Sequence, residues 1–325
     1  MTNKYLTLLL LAAGLNSCSK PFENTEQRSF SVSLDTVRVD SGDEILFLQY
    51  FLNVSTLDPS QKFLYNMNVM EQILEKINLE TLSLDSLIQL EKEGPNGIGF
   101  PSEVIALDDG GFLFSNNYTL SYLDANLQKT KQITLAREEF ITEILPPSKT
   151  INIQSQGIST DGRFLAGLYD DSGIGQKPDG IVWIDLEKES GKIISTNELD
   201  FITENNLVLE IDGQVRGGYS GAVFFESSED KIIFSPSSKN MLMIYDLAQD
   251  SLITKKYESK LTSNEQVPGK LKTVSDPNEF NKLRGENLKK VNFGPWELDK
   301  RQVIVGGFQR NWTGSSGKIV LFSKL

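Results

Sequence analysis

The sequence predicts an all-β fold, a β-propeller of four-stranded blades, on three observations. A polar turn followed by a short apolar run recurs five times, each copy is flanked by further strand-like segments, and one alternating segment near the N-terminus has no unit of its own. The first unit places the corner Pro59-Ser60-Gln61-Lys62 before Phe63-Leu64-Tyr65-Asn66, and the second places Asp108-Asp109-Gly110-Gly111 before Phe112-Leu113-Phe114-Ser115. The third has Thr160-Asp161-Gly162-Arg163 before Phe164-Leu165-Ala166-Gly167, and the fourth has Ser228-Glu229-Asp230-Lys231 before Ile232-Ile233-Phe234-Ser235. The fifth has Leu298-Asp299-Lys300-Arg301 before Gln302-Val303-Ile304-Val305-Gly306. Turn formers ahead of β-rich runs mark hairpin corners.

A strand often ending in Asp follows each corner strand, at 74–79, 120–124, 181–185, 241–246 and 318–322, and in four units another follows at 86–90, 131–135, 192–195 and 252–255. Ahead of each corner lies an apolar stretch, at 47–54, 104–107, 153–159, 222–225 and 292–298. A blade buries its faces only against its neighbours, so the ring has to close. The segment 30–37 alternates apolar and polar residues and is expected to complete the last blade, covering an otherwise open edge. Two stretches, 196–218 and 257–291, exceed what blade loops need. One of them is a candidate degenerate sixth blade, and 277–290 suits a helix with Phe280, Leu283 and Leu288 on one face. A β-sandwich is the alternative architecture, since alternating strands alone do not specify a ring.

Before the first strand, Lys4 precedes an apolar run from Tyr5 to Leu15 and then Asn16-Ser17-Cys18, the pattern of a signal peptide. Its closing cysteine resembles the lipobox of bacterial lipoproteins, which implies removal of residues 1–17 and lipidation of Cys18; an ordinary secretory peptide is the other reading. Several acyl chains at about 0.8 kcal/mol per buried methylene hold a soluble domain at a membrane. Residues 18–29 then form a polar tether and 30–325 the propeller domain. Under the sorting rule that the lipobox resemblance brings, Ser19 in place of Asp directs the protein to the outer membrane, with the choice of periplasmic or exterior face open.

Composition narrows the chemistry. The chain has 325 residues, one cysteine and no histidine, which excludes Ser/His/Asp and Cys/His nucleophile systems, His-ligated metals and an intrachain disulfide. A net charge of −12 opposes nucleic-acid binding.

The lipobox, the Phe-Leu-Tyr-Asn type strand and Leu90-Glu91-Lys92-Glu93-Gly94-Pro95-Asn96-Gly97-Ile98-Gly99 together resemble a domain-of-unknown-function family of bacterial lipoproteins with a six-bladed, propeller-like fold. That resemblance implies six blades where the repeats count five, and it implies no activity.

Several clusters are candidate sites, each beside a plainer reading. Glu103, Arg216, Tyr219, Trp296 and Glu297 begin or precede innermost strands and would converge on a central channel to hold an anion, sugar or peptide; glycines and aromatics filling a crowded axis would look the same. Asp170, Asp171 and Asp179 offer oxygen ligands for Ca²⁺, or a solvated hairpin loop. The triplets Asp35-Thr36-Val37, Asp85-Ser86-Leu87 and Asp250-Ser251-Leu252 resemble a bacterial O-glycosylation site at Thr36, Ser86 and Ser251, or serve as Asp turns entering outermost strands. The sequence thus reads as a lipid-anchored envelope binding or scaffold module for a protein, peptide or carbohydrate, with no obligatory cofactor. A metal-dependent hydrolase or lactonase using Asn53, Glu103 and Glu226 is the rival class.

Overall fold

The computed structural model describes residues 38–49, 52–116, 118–171, 177–195, 197–259, 262–267, 269, 271–295, 297–298 and 304–305. They belong to one compact unit beginning at Val37. Four four-stranded antiparallel sheets follow the predicted repeats. The first comprises β1 (Ser55–Leu57), β2 (Phe63–Asn68), β3 (Ile73–Asn78) and β4 (Ser83–Gln89). The second comprises β5 (Glu103–Ala106), β6 (Phe112–Ser115), β7 (Thr119–Leu123) and β8 (Lys129–Thr134). After the short helix α1 (Glu139–Ile144), the third contains β9 (Thr150–Ile158), β10 (Phe164–Asp170), β11 (Gly180–Asp185) and β12 (Ser190–Ile194). A 3₁₀ turn (Asn197–Thr203) and the hairpin β13 (Leu207–Ile211) and β14 (Gln214–Tyr219) precede the fourth sheet, β15 (Val223–Ser227), β16 (Lys231–Pro236), β17 (Met241–Asp246) and β18 (Ser251–Lys256). Then come β19 (Lys272–Val274), α2 (Pro277–Leu288) and the antiparallel pair β20 (Glu297–Leu298) and β21 (Ile304–Val305).

Successive four-stranded sheets pack face on face, which explains the apolar runs that mark the corner strands. Strand side chains alternate faces, so a strand buried on both sides must be apolar at consecutive positions. In β6, Phe112 and Phe114 join Met67 and Leu74 of the first sheet, while Leu113 joins Leu165, Val182 and Ile184 of the third. The Tyr65 and Phe112 rings meet edge to face at 5.0 Å across the first boundary. In the third sheet, Ala166 and Ile181 turn the other way, onto Phe225, Ile232, Phe234 and Met243 of the fourth. The strands β9 and β15 approach so closely that a Cβ on Gly157 would overlap the Phe225 carbonyl oxygen. Each such interior Leu, Ile or Phe contributes about 1.5–3 kcal/mol by leaving water.

In each four-stranded sheet the third strand ends in, or is followed directly by, an amide or carboxylate that caps the next turn. Asn78 Oδ1 accepts from the Glu80 and Thr81 N–H groups, at 2.8 and 3.1 Å. Asp124 Oδ1 accepts from Asn126 and Gln128, Asp185 Oδ1 from Glu187 and Lys188, and Asp246 Oδ1 from Ala248 and Gln249. The recurrent Asp of the sequence is therefore an Asx turn, the side chain standing in for a backbone acceptor.

Three expectations need correction. The first inner strand lies at 55–57, not 47–54, because Phe47 is held by side chains instead of a ladder. Its N–H donates to Glu75 Oε1 at 2.8 Å and its carbonyl accepts from Asn66 Nδ2 at 2.8 Å, both partners being buried. Second, among the described residues neither long stretch holds a blade by itself: β13 and β14 from one and β19 from the other form a single three-stranded sheet, order β14-β13-β19, with β19 parallel to β13. That sheet does not intervene between the third and fourth sheets, whose side chains meet directly. Third, α2 buries Phe280 and partly buries Leu283 against Leu207 and Val274, but Leu288 is exposed. The helix starts where predicted because Asp276 caps the Asn278 N–H at 2.9 Å ahead of Pro277. The segments 30–37 and 318–322 lie outside the described residues, as does their expected pairing.

Candidate functional site

An antiparallel four-stranded sheet sorts its loops by end. The chain enters the first strand and leaves the fourth at one end, where the turn between the second and third strands also lies; the other two turns lie at the opposite end. The entry end is termed the connection end and the other the turn end. Glu103, Asp170, Asp171 and Asp179 all fall at connection ends, at the start of β5 and around the β10–β11 loop.

Burial dominates the electrostatics of Glu103: half-buried at the start of β5, the residue has its pKa pushed up to about 7 by loss of solvation. Asp171 and Asp179 already have a cation between them, since Lys149 Nζ lies 2.8 and 2.7 Å from their carboxylates. Those two hydrogen bonds push the Lys149 pKa up to about 12. Asp170 is buried and accepts from Asn152 Nδ2 at 2.9 Å instead of facing the loop. Among the described residues no three His, Cys, Asp or Glu side chains converge to hold a metal. Glu103 and Glu226 stand on different sheets, and Asn53 precedes β1.

Arg216 and Tyr219 belong to β14, the outer strand of the three-stranded sheet, which leads directly into β15, the first strand of the fourth sheet. Arg216 is exposed. Tyr219 is half-buried against Leu207, Val274 and Phe280, and burial raises its hydroxyl pKa against the opposing pull of nearby Arg284. The structure thus joins Arg216 and Tyr219 on one strand and keeps Glu103 on another sheet. Trp296, Cys18 and Thr36 lie outside the described residues, and Glu297 is described only by its backbone in β20.

Tyr219 borders a narrow cleft, with room for about one water, together with Phe201, Asn205, Pro236, Ser238 and Gln266, at the connection end of the fourth sheet. A network of amides builds its wall. Asn205 Nδ2 donates to Gln266 Oε1 at 3.4 Å, Lys290 Nζ donates to Asn205 Oδ1 at 2.7 Å, and Gln266 Nε2 donates to the Val291 carbonyl at 2.8 Å. Burial lowers the Lys290 pKa. Sequence reading missed Asn205, Ser238, Gln266 and Lys290: the partners of Asn205 lie 61 and 85 residues further along, and no motif links them. The only signal was the excess length of the two stretches that supply them.

Of the modification candidates, Ser86 is exposed in the middle of β4, not at its start, and its Oγ donates to Asp85 at 3.2 Å. Ser251 is half-buried as the first residue of β18. Asp250 before it is paired with Lys192 and Tyr245. The glycine-rich 93–99 segment forms a turn, with Gly94 and Gly99 at φ of 95° and 68° and Asn96 Oδ1 accepting from the Lys129 N–H at 3.0 Å.

Over residues 27–303 the chain matches the model of DUF4221, a domain of unknown function. It is similar to the crystal structure of a DUF4221 member from Bacteroides vulgatus, at 14% identity and a TM-score of 0.54, covering 82% of this chain and 74% of that one. Fainter likenesses include the β-propeller domain of Myceliophteria thermophila Cps50, at 8% identity and a TM-score of 0.37, covering 84% of this chain and 70% of that one. Streptogramin B lyase is similar at 9% identity and a TM-score of 0.39, covering 84% and 68%. No curated protein matches the chain. The likeness to the DUF4221 crystal structure concerns fold alone: an all-β arrangement of mostly antiparallel four-stranded sheets.

Proposed function

The chain belongs to the DUF4221 family, whose function is unknown, and from that premise we propose that it is a membrane-anchored binding module of the cell envelope. The observation that carries the reading is the gathering of long connections, the cleft beside Tyr219 and the shielded Glu103 at connection ends, while the turn ends are short, capped corners. Loops held on a rigid scaffold are where binding residues concentrate. In this reading Cys18 carries the lipid, residues 18–29 are the tether, and Ser19 directs the protein to the outer membrane. The ligand is a protein, a peptide or a carbohydrate, and no metal takes part. The reading includes closure, with residues 30–37 completing the sheet that β20 and β21 begin. The sixth blade that the family resemblance implies has one candidate among the described residues, the three-stranded sheet.

Mass spectrometry of the N-terminal peptide from membrane fractions tests the anchor. An acylated Cys18 is expected, and an unmodified terminus in the soluble fraction would overturn the assignment. The same spectra report on Ser86 and Ser251, where unmodified peptides would remove the glycan reading.

A further inference from the structure

The three-stranded sheet is unlike the others in its edge. On three of the four-stranded sheets a charged residue of the outer strand is tied into an ion pair: Asp85 of β4 to Lys76 at 3.1 Å, Lys131 of β8 to Glu189 at 3.3 Å, and Lys192 of β12 to Asp250 at 2.5 Å. Charges on an outer strand discourage further strands from adding to it. The far edge of the three-stranded sheet, β19, has its Lys272 paired with Glu279 of α2 at 2.7 Å. Among the described residues the remaining edge is β14, Gln-Val-Arg-Gly-Gly-Tyr, which has no lysine or proline; a bulge leaves its one charged residue, Arg216, without a partner on β13. Val215 is 50% exposed, Arg216 and Gly218 are exposed, and a Cβ at Gly217 would meet nothing nearer than 3.9 Å. On either side of the bulge the outer backbone of β14 faces away from β13, and the charge it carries favours a newcomer of opposite sign.

Two further features say what the newcomer is. Arg216 on β14 and Arg284 on α2 are both exposed and, among the described residues, neither makes an ion pair, although the chain carries a net charge of −12. Arg284 lies on α2, whose Phe280 packs with Tyr219 of that strand, and it pulls against the raised pKa of the Tyr219 hydroxyl. The C-terminal end of β14 runs into the cleft, where Tyr219, Gly221 and Ala222 form one side and Phe201 and Pro236 contribute apolar surface. Pairing to an exposed edge supplies affinity through main-chain hydrogen bonds, and contacts to alternate side chains along it supply selectivity.

We propose that the edge of β14 is a peptide-docking site, at which an extended acidic peptide adds as a fourth strand and lays its end over the mouth of the cleft beside Tyr219. The inference rests on the binding-module reading and names its ligand class. The guanidinium groups select carboxylates, by bidentate hydrogen bonding that a lysine would not provide.

Fluorescence polarisation of the full chain with three labelled heptapeptides tests it: alternating Val/Glu, alternating Val/Lys, and the Val/Glu peptide N-methylated at alternate residues to block strand pairing. The Val/Glu peptide is expected to bind, with the N-methylated and Val/Lys forms at least tenfold weaker, about 1.4 kcal/mol or more. Arg216→Glu should lose at least tenfold for Val/Glu and gain for Val/Lys, with an unchanged circular dichroism spectrum. Equal binding of the N-methylated peptide, an unaltered Arg216→Glu variant, or no binding by any of the three would overturn the proposal. A non-peptide ligand that Tyr219→Phe weakens, with no peptide bound, would refute the peptide class and leave the binding-module reading standing.

Discussion

The turn ends and the connection ends of the sheets solve opposite problems with the same kinds of residue. At the turn ends, carboxylates cap short corners that repeat from sheet to sheet: Asp58, Asp124, Asp185 and Asp246 each hold backbone N–H groups a few residues onward. At the connection ends, Glu103 has its carboxyl shielded from water, and the amides of Asn205 and Gln266 are joined over long sequence separations into a cleft wall. Repetition marks the scaffold, and departure from it marks the candidate site.

The sharpest test of that contrast is Asp185→Ala. Its side chain is 1% exposed, receives two hydrogen bonds from Arg163, one of them at 2.9 Å, and caps two backbone N–H groups. Removal leaves the two backbone N–H groups without their cap and Arg163 with only its contacts to Glu187 and Glu229, so a loss of about 2–4 kcal/mol in urea unfolding is expected; a change below about 0.5 kcal/mol would deny the turn ends their structural role.

The second test uses pH, because the two ends titrate in opposite directions. Burial tends to raise the pKa of Asp185, but the Arg163 hydrogen bond and the backbone donors outweigh it and hold the value low. The Ser228 hydroxyl likewise holds Asp230 low. A depressed folded value means stability that is present above about pH 4 and lost as pH falls through it. Glu103 is the reverse, raised to about 7, so its contribution is intact below about pH 4.5 and lost as pH rises to 7. Glu103→Gln should therefore match the wild type at pH 4.5 and exceed it by about 1–2 kcal/mol at pH 8. An equal difference at both values would show that Glu103 is not shielded.

A smaller effect is expected for Asp124→Ala, which removes a cap at an exposed turn and should cost about 1 kcal/mol, read by thermal melting. Smallest in stability is Arg216→Ala: an exposed side chain without an ion pair should move unfolding by less than about 0.5 kcal/mol. Unfolding of that variant would make β14 a structural strand instead of a binding edge.

The four sheets were legible because burial on both faces forces consecutive apolar residues, as in Phe112-Leu113-Phe114, and because Asx capping recurs at fixed places. The first inner strand was misplaced because the apolar run around Phe47 looks like a strand, while the Glu75–Asn66 pair that holds it lies elsewhere in the chain. The three-stranded sheet escaped reading because β13 and β19 pair across the whole fourth sheet. The cleft escaped for the same reason. Arg216 and Tyr219 were visible as residue types, but only the pairing of β14 to β13 places them on an outer edge.

Hydrogen exchange of the full chain, with and without the Val/Glu heptapeptide, tests the division of labour between the two ends most directly. Slowed exchange confined to 214–223 and 236–240 is the predicted result. Slowed exchange at the corners 58–62, 108–111, 160–163 and 228–231, with β14 unchanged, would contradict it.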